Sequence, residues 1–324
     1  MSTAMTHERI GLLLGPLVFL LFSFSGQQQA IMPEIAWYTA GIGLWMAIWW
    51  ATEAIPVPAT AFIPLVTFGY FGIASFKDTA TSFAHPIIFL FLGAFFLALA
   101  IERWNLHRRV ALKILSFTGT DGKRLIAGFM LTAAFLSMWM TNTSTTMMLL
   151  PIGLSVAKVI VDSIDGLDDQ QSREFHMALL LGLAYGATIG GLSTLIGTPP
   201  NALLAAFLKD NYGIEIDFLQ WMMVGVPVTM IMLPLGWYVL THIAFKITLK
   251  GDARVAEYLR FEYKEMGTMS SAEKRVSLIF LLVVVGWILR RPLASVFGLD
   301  GLSDSAIAMT GALLLFLVPA SNID

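Results

Sequence analysis

The chain has 324 residues, of which 57% are hydrophobic and only 13% charged, with a formal net charge of −2. A soluble domain carries roughly a quarter of its residues as charges, so this balance excludes one. Cysteine is absent, which excludes a disulfide framework, thiol catalysis and a cysteine-held metal, and no basic tract points to nucleic acid.

Apolar blocks recur at 10–24, 36–51, 57–71, 86–100, 175–196, 221–245, 276–289 and 306–319. A helix needs about 17–25 residues to cross the hydrocarbon core, and the alternation typical of barrel strands is absent. The expected fold is an all-α polytopic membrane protein. The block after His7-Glu8-Arg9 runs into Gly26-Gln27-Gln28-Gln29, and a second block follows soon after. It therefore reads as a first transmembrane helix rather than a signal peptide. Glu53, in WWATEAIPVPAT, reads as a carboxylate capping a helix end, and His85 as the residue that precedes a helix starting at Pro86. The Trp and Phe residues are expected mostly to face lipid or to anchor at the interface.

The segments 103–124 and 246–275 hold most of the 20 Lys and Arg residues. The excess of basic residues in cytoplasmic loops puts both segments, and the N-terminus, inside. Arg290 and Arg291 then fall outside, against the rule. Within 246–275 the run RVAEYLRFEYKEM is amphipathic, and Tyr258, Leu259, Phe261 and Tyr263 suit an interfacial helix joining two bundles. A solvated linker helix is the alternative.

Residues 125–161 contain the stretch SMWMTNTSTTMMLLPIG, with six polar residues in a row from Thr141 to Thr146. Unpaired polar groups in hydrocarbon cost several kcal/mol, so lipid cannot surround this run. Either two spans joined by an outside turn or a re-entrant hairpin with its tip at the run fits the pattern. A second interruption lies in 175–208, where AYGATIGGLSTLIGTPPNALLAAF meets Gly190-Gly191 and then Pro199-Pro200. Tandem prolines remove two donors and start helices better than they continue them, so the helix should break and restart there. Paired interrupted segments point to a transporter's midplane site.

The chemistry of the two breaks is that of a small hard cation next to an anion. Ser137, Thr141 and Asn142 offer oxygens from the hairpin, and Gly190-Gly191 offers bare carbonyls. Asn142, Thr143 and the stretch from Thr198 through Pro199 to Asn201 can meet a carboxylate, helped by helix N-termini. No Lys, Arg, Asp or Glu lies within 125–157 or 176–208. An anion bound there would need cations beside it, which favours cation coupling, and a proton-relay carboxylate is not offered. Ser, Thr and Gly also serve close packing of membrane helices, and for either stretch alone that explanation weighs equally.

Four stretches, WWATEAIPVPATAFIPL, HPIIFLFLGAFFLALAIERWNLHRRVAL, TNTSTTMMLLPI and IGGLSTLIGTPPNA, resemble in sequence and order the divalent anion:sodium symporter family. That family carries di- and tricarboxylates, with sulfate carriers among its relatives. The resemblance implies a transporter and no enzyme, with no cofactor besides Na+ as coupling ion. It implies a homodimer surrounded by lipid, with an elevator-type motion of a transport part against a scaffold, and the lack of a signal or organellar presequence points to a bacterial inner (plasma) membrane. It implies a sodium site of Ser137, Thr141, Asn142 and Gly190, and substrate contacts from Asn142, Thr143, Gly191, Thr198 and Pro199.

The family's hairpin pattern is Ser-Asn-Thr, and here it reads Thr141-Asn142-Thr143. Family members contain two inverted repeats, whereas this sequence offers the first repeat and the start of a second, with no second hairpin motif. The expected division is scaffold-type helices in 1–124, a transport-type part in 125–245, a cytoplasmic linker in 246–275, and the opening helices of repeat 2 in 276–324. Sodium-coupled symport of dicarboxylate-type anions is the expected function, with this stretch inactive alone because the second half-site is missing. A dicarboxylate exchanger and a non-transporting membrane assembly module are the alternatives.

Overall fold

A computed structural model of the chain describes residues 2–26, 32–163, 168–299 and 301–319. Every regular element among them is helical, and the chain forms two compact units, Met1–His85 and Pro86–Asp324.

The first unit contains α1 (Ser2–Gly26), α2 (Glu34–Thr52), α3 (Val57–Thr60), α4 (Ile63–Tyr70) and α5 (Phe76–Phe83). Helices α1 and α2 lie along each other, with Phe19, Ile42 and Ile63 buried at the centre of an aromatic cluster. Glu53 ends α2 in the left-handed conformation at φ 50°, so it terminates the helix as its sequence context suggested. The block 57–71 is not one helix. Pro64 sits in the first turn of α4 and cannot donate to the carbonyl of Thr60, so the chain breaks at Ala61-Phe62.

The second unit runs α6 (Pro86–Arg103), α7 (Leu106–Thr118), α8 (Gly122–Ser137), α9 (Asn142–Ser163), α10 (Asp169–Gly191), α11 (Pro199–Tyr212) and α12 (Phe218–Tyr238). A π turn at Val239–Ala244 ends α12, and α13 (Ala253–Glu265), α14 (Ser271–Ile288), α15 (Arg290–Phe297) and α16 (Asp304–Leu317) follow. The main core lies between α8, α9 and α10, where Ile126, Phe129, Leu149, Leu183 and Phe175 are fully buried. A second cluster joins α6, α14 and α16 around Leu90, Val283 and Trp287. By length and composition, His7–Phe24, Phe76–Arg103, Asn142–Asp162 and Phe218–Ala244 can cross a membrane, and α14 with α15 forms a candidate span bent by 77°.

The close fit of α10 on α8 has a simple sequence cause. Gly182, Gly186 and Gly190 recur every four residues along one face of α10. A β-carbon on Gly186 would lie 2.6 Å from the carbonyl oxygen of Met130, and one on Gly190 would lie 2.2 Å from that of Ala134. The glycines let two backbones touch, the small-residue device of membrane helix pairs.

The two basic segments pack against each other, as α7 against α13. Arg108 pairs with Glu262, while buried Arg109 holds Glu273 at 2.7 and 3.3 Å and also donates to the carbonyls of Met266 and Gly267. The Glu273 hydrogen bond raises the Arg109 pKa further. Both segments therefore lie at one end of the unit, as the positive-inside argument requires. On α13, Val255 and Leu259 enter the main core and Tyr258 packs against it, whereas Phe261 and Tyr263 face outward.

One sequence expectation gains detail and another needs correction. Arg290 and Arg291, expected outside, have acidic partners. Arg290 reaches Glu215 at 2.8 Å and Asp304 at 3.2 Å, and Arg291 reaches Asp217 at 2.6 Å. Each is therefore paired where it stands, although the topology rule counts basic residues whatever their partners. The tryptophans, unlike many of the phenylalanines, are mostly not exposed, so they are not mainly a lipid-facing set. Only Trp50 is exposed, while Trp287 is 1% exposed and stacks on Phe218 at 4.4 Å. Its N–H bonds the Asp304 carbonyl, so this aromatic serves the core.

Candidate functional site

Both interruptions are present in the second unit. Helix α8 stops at Ser137, residues 138–141 form a turn, and α9 starts at Asn142. Helix α10 stops at Gly191, residues 192–198 are non-helical, and α11 starts at Pro199. The polar run is therefore divided. Thr141 stands in the turn, while Asn142 through Thr146 form the first turn of α9. The Thr141 hydroxyl accepts from Ser144 N at 3.2 Å and its carbonyl from Thr145 N at 3.0 Å, which makes it the N-cap. The first N–H groups of α9 have no acceptor within the helix, and they carry its positive dipole end.

Asn142 is the meeting point of the two breaks. Its Oδ1 accepts from the Ser137 hydroxyl at 2.6 Å, and Ser137 is fully buried. A β-carbon on Gly191 would lie 2.4 Å from the same oxygen, so any larger residue there must push the Asn142 side chain aside. Gly197 closes the arrangement, because a β-carbon on it would lie 2.5 Å from the Gly191 oxygen and 2.8 Å from the Ser137 oxygen. Of the residues expected from sequence, Ser137, Asn142 and Gly191 thus touch as one group. Gly190 lies against the Ala134 backbone of α8, and Thr141 turns toward Ser144. Thr198 is the extended N-cap of α11 with no side-chain capping bond, and Pro199 opens that helix.

The carbonyls of the second break are not bare. Gly190 O accepts from Ser193 N at 3.0 Å, and Gly191 O accepts from the Asn201 amide at 2.9 Å. The same amide donates to Thr194 O at 2.8 Å, so both N–H groups of Asn201 are used inside the protein rather than offered to a carboxylate. A carbonyl oxygen still has a second lone pair for a cation.

Several residues that shape the site had no clear sequence signal. The Thr194 hydroxyl donates to Met138 O in the hairpin turn and accepts from Gly197 N at 3.1 Å, so it ties one break to the other. Ser193 donates to Thr229 of α12 at 2.8 Å, and Thr229 in turn bonds Ile189 O. Beside Asn142 lies a hollow of ≈ 280 Å³ lined by Asn142, Thr143, Thr146, Met147, Ala184 and Thr188. The Thr146 and Thr188 hydroxyls bond back to their own helices at 2.8 and 2.9 Å. That leaves Thr143 and the Asn142 amide as the polar groups whose hydrogen bonds are not spent on their own helices. The buried Thr145 hydroxyl has no hydrogen-bond partner among the described residues.

Only neutral oxygens and amides gather here, and no group of three or more His, Asp or Glu side chains suited to a metal ion occurs among the described residues. Such a donor set suits a weakly held monovalent cation better than a tightly bound transition metal.

Comparison with known proteins identifies the family. A family model described as the sodium:sulfate symporter transmembrane region matches residues 7–322. A protein named sodium-dependent dicarboxylate transporter SdcS from Staphylococcus aureus (strain MRSA252) is 39% identical over 98% of this chain and 62% of its own length. The protein of the same name from Staphylococcus saprophyticus is 40% identical over 97% of this chain and 61% of its own length. The chain thus spans a little over three-fifths of the relatives it matches. Several of its helices are long and apolar enough to cross a membrane, as a membrane-protein family requires. The chain belongs to the sodium:sulfate symporter family, the divalent anion:sodium symporters that its motifs resemble.

Proposed function

We propose that this segment forms one half of a site for sodium-coupled symport of dicarboxylate-type anions such as succinate. The observation that carries the reading is the convergence of Asn142 Oδ1, the Ser137 hydroxyl and Gly191 where two helix breaks meet. Sodium is held by oxygens from Ser137, Thr141, Asn142 and the Gly190 carbonyl. The anion carboxylate meets the Asn142 amide and Thr143 at the first turn of α9, with Gly191, Thr198 and Pro199 opposite. With no basic side chain in either break, bound sodium and the α9 dipole supply the compensating charge. The names of the relatives, sodium-dependent dicarboxylate transporters, favour the same cation and substrate class.

In the same reading, residues 1–124 belong to a scaffold and residues 125–245 to a part that moves against it, elevator fashion, in a homodimer. A complementary half-site completes the binding geometry, so the segment alone is expected not to transport.

The test is sodium-dependent uptake of labelled succinate into proteoliposomes, by this chain and by a full-length protein that contains it, each with and without Asn142→Ala. Uptake by the full-length protein that needs sodium and is lost in the variant supports the reading. Uptake that ignores sodium, or survives the substitution, overturns it.

A further inference from the structure

Two hollows away from the breaks share one pair of residues. The first, ≈ 460 Å³, is an apolar groove along α6, α14 and α16, lined in part by Phe96, Leu99, Ile279 and Phe316. The second, ≈ 700 Å³, is polar and lies beside α7 and α13, with Arg108, Glu262 and Glu265 in its wall. Arg103 and Trp104 line both.

The groove has a polar end and an apolar length. Arg103 is the last residue of α6 and closes the apolar segment Phe76–Arg103. Arg275, which also lines the groove, stands in the second turn of α14. Both belong to the basic segments that the positive-inside rule puts at the cytoplasmic boundary. Arg108 and Arg109 are matched by Glu262 and Glu273. Arg103 is exposed, lies 6.0 Å from the Trp104 ring centroid, and has no carboxylate partner among the described residues. Leu99 and Phe316 of the groove are 58% and 72% exposed, so the described residues leave its apolar wall uncovered.

We propose that this junction binds an anionic glycerophospholipid of the cytoplasmic leaflet. One acyl chain lies in the groove against Leu99, Ile279 and Phe316, and the phosphate sits at Arg103, with Trp104 at headgroup level. Charge complementarity selects the occupant. An unmatched arginine at the membrane boundary favours a headgroup of net negative charge, and an apolar groove continuing into the bilayer favours an attached chain over a free anion. Glu265 in the polar hollow limits how far the headgroup can move away from Arg103 toward α13. The proposal concerns a face of the fold apart from the two breaks, and it stands whether or not the transport reading does.

Native mass spectrometry of the delipidated chain in detergent, titrated with phosphatidylglycerol or phosphatidylcholine, tests it. The expected result is one retained phosphatidylglycerol per chain, preferred about fivefold over phosphatidylcholine, with that preference abolished by Arg103→Gln. Arg103 is exposed, so its substitution leaves the core intact. Ala100→Phe, which fills the groove, is expected to lower retention of both lipids. Equal retention of the two lipids by the unsubstituted chain overturns the proposal, as does a preference that survives Arg103→Gln. Displacement by millimolar inorganic phosphate overturns it too, because the site would then be one for a free anion.

Discussion

The Ser137 hydroxyl donates to Asn142 Oδ1 at 2.6 Å across the turn that separates α8 from α9. This contact fixes the amide orientation: Oδ1 points back into the turn toward Ser137 and Gly191, which leaves the amide N–H groups to face elsewhere. Removing the donor with Ser137→Ala leaves a part-buried acceptor unpaired, which costs about 1 kcal/mol or more. The expected result is a lower thermal midpoint in detergent together with weaker apparent sodium affinity in the full-length transporter. Unchanged values of both would separate Ser137 from the site.

The three glycines of the breaks are predicted to fail in different ways. Alanine at Gly190 or Gly197 meets backbone, at 2.2 Å from Ala134 O and 2.5 Å from Gly191 O respectively. Backbone cannot swing aside, so each is expected to destabilise the protein by about 1–3 kcal/mol or more. Alanine at Gly191 first meets the end of the Asn142 side chain, at 2.4 Å, and then the Gly197 carbonyl oxygen at a tight 3.3 Å, well short of the backbone clashes at the other two. Gly191→Ala is expected to retain more stability and to lose sodium-dependent uptake by displacing the amide. Melting curves and uptake measured on the same three variants check the order.

Asn201 is predicted to be structural. It is 5% exposed, and its amide bridges Gly191 O and Thr194 O across the second break. Asn201→Asp replaces two donors with an acceptor facing two carbonyls, so it should destabilise more than Asn201→Ala, which costs about 1–3 kcal/mol. Chemical or thermal unfolding of the pair reads the order directly.

The Arg109–Glu273 pair joins α7 to the start of α14, and both side chains are less than 10% exposed. Breaking a buried pair from one side strands a charge and typically costs 3–5 kcal/mol. Arg109→Met and Glu273→Gln are each expected to destabilise strongly, and the double variant by clearly less than their sum. A double-mutant cycle on thermal stability measures this, and simple additivity would count against the pair acting as a unit.

His107 gives a pH prediction. Burial lowers its pKa, with a bond to Ile101 O at 3.3 Å acting the other way. The unfolded chain takes up a proton near pH 6.5 while the folded protein still excludes it. Unfolding therefore binds protons, and stability falls as pH drops from about 6.5 toward the lower folded value. Replacing His107 by Gln should flatten this slope between pH 7.5 and 5.5, seen as a smaller difference in thermal midpoint.

The sequence announced the places where helices stop, because breaks have composition. Gly190-Gly191 and Pro199-Pro200 bracket the second interruption, which is found at residues 192–198. It did not announce what holds the broken ends, since a polar side chain in a break can face inward or toward a ligand with equal chemical sense. Asn201 and Thr194 turned inward, and no pattern of spacing distinguishes that choice. The charge rule placed the two basic segments on one side, and the packing of α7 on α13 agrees. What it could not show is that Arg290 and Arg291 have partners in Glu215 and Asp217, about 75 residues earlier in the chain.

Pro199 and Pro200 occupy the first turn of α11, where other helices present N–H groups and these residues have none. The next N–H, of Asn201, is spent on Thr198 O at 3.1 Å. This helix end keeps its field but has no directional grip, whereas the start of α9 has both. In the proposed site, an anion between them would be steered from one pole and oriented only at the other. Ligands that share charge but differ in shape beyond the first carboxylate would then be told apart by steric fit at the proline rings rather than by matched hydrogen bonds, which makes a broad palette of acids easier to accommodate than a single one.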